Sequence, residues 1–143
     1  MKKIISITLF IALMSSISLT SCLYENTYED GPMFRLQTKK MRLVNEWKVE
    51  KIYIGGNIQP TDPLTENQTI QFKSNGDYIY SNTVGPYAGT FTGTWAWNGM
   101  KNGVLTDMST SGLSTEYLIF RLKANELWVY DNNRSEEIHY VSK

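Results

Sequence analysis

The chain has one cysteine, one histidine and four prolines among its 143 residues. Each scarcity removes a class of chemistry. A single thiol, Cys22, closes no disulfide within the chain, so the fold must stand on its core. One His and one Cys do not assemble a zinc site. Any nucleophile–histidine arrangement would have to use His139, the fifth residue from the C-terminus, in a strand-like run reading Ile138-His139-Tyr140-Val141. A histidine satisfied within that strand is the simpler reading. Charge of one sign is also missing: 14 basic side chains balance 14 acidic ones, with no Lys/Arg run, so nucleic acid is a poor candidate partner. No Gly-x-Gly-x-x-Gly, P-loop or EF-hand pattern occurs. The segment "DNNRSEE" (131–137) carries oxygen ligands but lacks the glycine and spacing of a calcium loop, and reads as a solvated turn. Glu136 and Glu137 are adjacent on a strand and point to opposite faces. Asp62 and Glu66 fall in the loop "GGNIQPTDPLTENQ", where turn formation accounts for them. The expectation is a protein without catalytic residues, metal or cofactor.

What is present begins with one apolar run. Lys2 and Lys3 precede 16 largely apolar or small residues from Ile4 to Leu19. That is short of the roughly 20 needed to cross a bilayer. A basic start, a short apolar core and small residues at its end describe an export signal. The sequence Leu19-Thr20-Ser21-Cys22 resembles the lipobox of bacterial lipoproteins, where an apolar residue and two small residues precede a modified cysteine. The alternative is an ordinary secretory signal with an incidental cysteine. The resemblance implies a thioether-linked lipid on Cys22 and cleavage before it. Several acyl chains, each contributing about 0.8 kcal/mol per buried CH₂, anchor a protein durably without spanning the membrane. Leu23, rather than Asp, after the cysteine suggests the outer membrane of a cell envelope. Removing 21 of 143 residues leaves 122, and losing Lys2 and Lys3 leaves 12 basic against 14 acidic groups, a formal −2. The expected organisation is a signal peptide at 1–21, a flexible tether at 22–33 ending in Gly-Pro, and one domain at 34–143.

Within the domain, "FRLQTKKMRLV" (34–44) is the one helix-like segment, with Leu36, Lys40 and Leu43 at helical spacing. Eight runs rich in β-branched and aromatic residues follow: 46–54, 69–73, 77–84, 89–97, 103–108, 115–123, 126–130 and 136–143. Short turns join most of them. The fold class predicted is all-β, an eight-stranded antiparallel up-and-down barrel preceded by one short helix. A three-residue loop at Ser74-Asn75-Gly76, with Gly76 left-handed, pairs Phe72 with Tyr78 and places Ile70, Phe72, Tyr78 and Tyr80 on one face. Phe91, Trp95 and Trp97 share a face of the next strand, with Gly93 between them making room for a neighbour. A two-residue loop at Ala124-Asn125 pairs Leu122 with Leu127 and Phe120 with Val129. Leu118, Phe120 and Leu122 then point inward, and Tyr117, Ile119, Arg121, Trp128 and Tyr130 point outward, with Arg121 over Trp128. Such an apolar outer strip requires cover from the 33–44 segment or a partner.

The phrases "LVNEW" (43–47), "FKSNGDY" (72–78) and "GTWAW" (93–97) resemble the lipocalin-like domains of Bacteroidetes lipoproteins. Lipocalins open with Gly-x-Trp after a short helix; here Asn45 replaces the glycine. The resemblance implies that Trp47 closes the base of the barrel. Four Trp and nine Tyr remain to be explained. They either fill a small barrel or line a pocket for a small apolar or amphipathic ligand. The candidate lining is Tyr78, Tyr80, Phe91, Trp95 and Trp97. The second functional reading is a structural or interaction lipoprotein with a side-chain-filled barrel that docks a protein or glycan. The anchor itself is directly testable: Cys22→Ala should release the protein from membranes, and mutant protein persisting in the carbonate-washed membrane fraction would refute the lipobox reading.

Overall fold

A computed structural model describes residues 37–86, 88–108 and 113–143. The expected signal peptide, Cys22, the tether and the first residues of the expected domain lie outside these. The chain opens with a five-residue helix α1 (Lys39–Leu43), capped by the Thr38 hydroxyl, which accepts from the Met41 N–H. Strands β1 (Glu46–Ile54), β2 (Asn57–Ile58), β3 (Gln68–Phe72), β4 (Asp77–Asn82), β5 (Gly89–Trp97), β6 (Gly103–Met108), β7 (Leu113–Leu122), β8 (Glu126–Asp131) and β9 (Glu136–Ser142) follow. A one-turn helix, α2 (Pro63–Glu66), stands between β2 and β3. Neighbouring strands are antiparallel in chain order from β3 to β9, and β1 joins β3 on one edge and β9 on the other. Eight strands thus close into an up-and-down barrel, with β2 a short extension alongside the end of β1. Closure removes the open edges that a sheet of this size would otherwise expose.

The turn chemistry sets the registers. Gly76 has φ +95°, and Phe72 faces Tyr78, so Ser74-Asn75-Gly76 is the three-residue loop expected. The Asn75 Oδ1 accepts from the Asp77 N–H and reinforces it. At Gly93 a side chain is impossible: a Cβ would lie 2.0 Å from the Asp107 carbonyl oxygen. There the wall coils so sharply that β6 backbone passes over the inner face of β5.

Two expectations are corrected. The 55–68 loop was expected to lack a helix, but Asp62 caps α2 by accepting from the Thr65 N–H at 2.8 Å, and Pro63 stands at its first turn. That Asp-Pro start is a helix signal on a segment too short to show periodicity. The β7–β8 hairpin pairs Leu122 with Leu127 as expected, but a bulge between Ile119 and Arg121 shifts the remainder. Ile119, not Phe120, then faces Val129 and is buried, and Tyr117 also turns inward, whereas Phe120 is 44% exposed. A single extra residue reverses the facing of everything beyond it.

The core is continuous through the barrel axis. At the base, where α1 and the 73–77, 98–102 and 123–126 turns gather, Leu43 and Trp47 are fully buried with Phe72, Leu122 and Leu127. The Trp47 Nε1–H donates to the Leu43 carbonyl at 2.9 Å, and an Arg42 guanidinium N–H donates to the Leu122 carbonyl at 2.9 Å. These two bonds fasten α1 as a plug. Trp47→Ala should therefore cost about 3–5 kcal/mol, the usual range for a large buried aromatic. An unchanged melting temperature would show that the plug does not hold the base.

Candidate functional site

The five aromatic residues singled out in the sequence all stand on the inner face of the β4–β5 wall, at alternate positions of each strand and in register across the pair. They are spread along the axis instead of gathered round one space. Trp95 and Trp97 lie near the base, edge to face, with ring centroids 5.8 Å apart. The Trp95 Nε1–H donates to the Lys73 carbonyl, and its ring meets Phe72 edge-on at 5.6 Å. Tyr78, opposite Phe72 in register, is buried 5.3 Å from it. Tyr80 and Phe91 pack together at 6.1 Å towards the opposite end, where Phe91 reaches the surface. Trp95 and Trp97 border a cavity at the base. With Lys40 and the 74–76 turn they line a notch of about 260 Å³ outside the base.

Above the apolar base the interior becomes phenolic. Tyr78 and Tyr117 are hydrogen-bonded to each other, with Tyr80, Tyr140 and the buried Asp131 close by. Asp131 Oδ1 accepts the Asn133 and Arg134 amide protons, so this carboxylate holds the β8–β9 turn. Gln68 Nε2 donates to the Tyr80 hydroxyl. At that end, the Asn82 side chain donates to the Leu64 carbonyl of α2, tying α2 to the rim. Burial raises the Tyr78 and Tyr140 phenols well above the ordinary tyrosine value, helped by the neighbouring tyrosines. Burial first, and then the charge of Asp131, pushes Tyr117 up to about 12.

The outer wall carries the second constellation. Arg121 on β7, Trp128 on β8 and His139 on β9 are directly opposite one another in neighbouring strands. The guanidinium carbon lies 4.2 Å from the indole centroid, and the imidazole stacks on the indole at 4.0 Å with planes 2° apart. Because β8 runs between β7 and β9, the two groups cover opposite faces of Trp128. Tyr53 on β1 continues the row at 4.8 Å from His139. The Glu137 carboxylate meets His139 Nε2 at 2.6 Å, and Glu126 meets Arg121 Nε at 3.1 Å. Phe120 and Tyr130 stack beside this row at 6.0 Å. Cover for the apolar strip thus comes from side chains on the same wall, while α1 is engaged at the base.

Below the row, a surface groove of about 420 Å³ runs over Val141, between Glu126 and Trp128 on one bank and Glu50 and Lys51 on the other. The Arg121–Trp128 contact was legible from the hairpin alone. The groove was not, since it depends on the β1–β9 pairing and on a bulge between Val49 and Lys51. Among the described residues no group of three or more His, Cys, Asp or Glu could hold a metal ion.

The barrel is similar to the crystal structure of a DUF4847 family protein from Bacteroides vulgatus ATCC 8482, with a TM-score of 0.51 and 16% identity over 73% of this chain and 96% of that one. At that identity the likeness carries the fold, and it is consistent with a lipocalin-like barrel. Neither a protein-family model nor a curated protein matches the chain.

The phenolic interior makes a sign-specific prediction. A phenol whose pKa is raised in the folded state stabilises the fold below pH 10, its ordinary value, and that contribution disappears as pH rises through the folded value. Stability should thus hold to about pH 10 and fall steeply towards pH 12. Tyrosinate absorbance should show these residues ionising only with unfolding; reversible ionisation of all nine tyrosines near pH 10 in folded protein would contradict this.

Proposed function

We propose that this protein is a lipid-anchored binding module of the cell envelope, held through Cys22 at the outer membrane, with no catalytic role. Its barrel serves as a filled scaffold, and its outer wall docks the partner. One observation carries the reading. The inner positions from base to mid-height are occupied by the chain's own side chains, with Trp47, Phe72, Tyr78, Val104, Leu122, Leu127 and Val129 all at 2% exposure or less. A barrel of eight strands is just wide enough for its side chains to fill. The groove beside Trp128 is, by contrast, open to solvent and walled by groups already held in place.

The reading in which a small apolar ligand enters the barrel has its own support at the end carrying α2. There Phe91 and Tyr80 stand near the rim, and an Asn82–Leu64 hydrogen bond connects β4 to α2. A dansylated fatty acid distinguishes the two. A filled scaffold should show no saturable binding, while Trp128→Lys should abolish partner recovery from protein that remains folded, at the cost of the Arg121 and His139 contacts. Stoichiometric fatty-acid binding, weakened by Phe91→Ala, would favour the interior site instead.

A further inference from the structure

The groove over Val141 restricts what it can hold. Its volume, about 420 Å³, falls in the range of small-molecule sites. Its charges are matched at short range: Glu50 lies 3.7 Å from Lys51, and Glu126 lies 3.1 Å from Arg121 and 3.9 Å from Lys123. An anionic or cationic ligand therefore meets both signs together and gains little net field. An extended peptide finds no free edge on β8 or β9, which have hydrogen-bonded neighbours on both sides, nor on the side of β1 that faces the groove, which pairs with β9.

We infer that this groove binds a neutral glycan, seating one or two sugar residues of a longer chain. The inference rests on the reading of the outer wall as a docking surface and adds the ligand class. A sugar hydroxyl both donates and accepts, which suits banks that alternate carboxylate, ammonium and amide groups: Glu126, Glu50, Lys51 and Asn125. Val141 on the floor and the edges of Trp128 and His139 offer the apolar strip that the C–H face of a pyranose requires. The indole cannot stack flat on a sugar, because Arg121 and His139 cover both its faces. It serves as a fixed wall. Glu126, held by two cations, and Trp128, held by stacking, lose little freedom on binding, which favours affinity. The furrow is open to solvent, so a chain can continue beyond the seated residues.

The test uses the chain from residue 22 onward with Cys22→Ser, isotopically labelled for NMR. It is titrated with cellohexaose, maltohexaose, xylohexaose, mannohexaose and laminarihexaose to about 10 mM, enough to detect a Kd of about 1 mM. At least one glycan should shift the Trp128 indole N–H and the Asn125 and Ser142 amides saturably, leaving the Trp47 and Trp95 indoles unmoved. Glu126→Gln should weaken that binding about tenfold, as expected for one charge-assisted hydrogen bond. Asn125→Ala, at an exposed turn, should weaken it without touching the Arg121 pair. Unchanged Trp47 and Trp95 indole signals certify that each variant is folded. No shift with any of the five glycans, or shifts indifferent to both variants, would overturn the assignment. If glycans fail while Trp128→Lys still abolishes partner recovery, the docking reading survives and the ligand class falls. If neither responds, both fall.

Discussion

The pairing of β1 with β9 is the constraint on which the rest of the molecule depends. It joins the two ends of the domain, from Trp47 opposite Ser142 to Ile54 opposite Glu136. It is reinforced at the base, where the Lys143 N–H donates to the Glu46 carbonyl at 3.0 Å and the two side chains form an ion pair at 2.7 Å. Bringing together segments so far apart in sequence carries a large loop-closure entropy, which only a well-filled interior offsets. Trp47 links closure to filling. It sits on the closing strand, is fully buried, and anchors α1 through the Leu43 carbonyl. The outer groove exists for the same reason, since its two banks belong to strands that meet only when the barrel is closed.

Much of this was readable from residues. Gly89–Trp97 and Gly103–Met108 have the expected bounds because clean alternation and flanking Asn-Gly turns define them. The 74–76 loop was legible because only one loop length sorts aromatics from Gln71 and Lys73. The short helix was expected too, though only 39–43 is helical within the described residues. What failed was everything that a bulge controls. The extra residue at Phe120 leaves no mark in a run as apolar as Tyr117–Phe120, so the facing of Tyr117, Leu118, Ile119 and Phe120 was inverted. The irregularity at Glu50 is equally silent, and with it the opposition of Lys51 to His139. Strand periodicity reports facing only while the period is unbroken.

The candidate site divides in the same manner. Composition drew attention to Tyr78, Tyr80, Phe91, Trp95 and Trp97, and all five stand on one inner wall. Their shared face does not make a shared space, because side chains from β1, β3, β6 and β9 meet them in the middle. The aromatic richness is largely explained by packing: Trp47 and Trp95 donate their indole protons to backbone carbonyls, and the buried Tyr78 and Tyr140 form a phenolic layer with the partly buried Tyr80 and Tyr117. Trp128 is packed differently, because it stands on the outside of the wall between a guanidinium and an imidazole. A rigid aromatic held on a convex surface beside a polar furrow is what directs the functional reading outward.

That reading depends on the barrel being filled by its own side chains, which a mass measurement addresses most directly. Native mass spectrometry of the chain from residue 22 onward with Cys22→Ser, purified from its cellular source without tags, should give the mass of the polypeptide alone. A stoichiometric apolar adduct that survives native conditions and is released on denaturation would contradict the account, because such a ligand needs the interior space that the chain's own side chains fill.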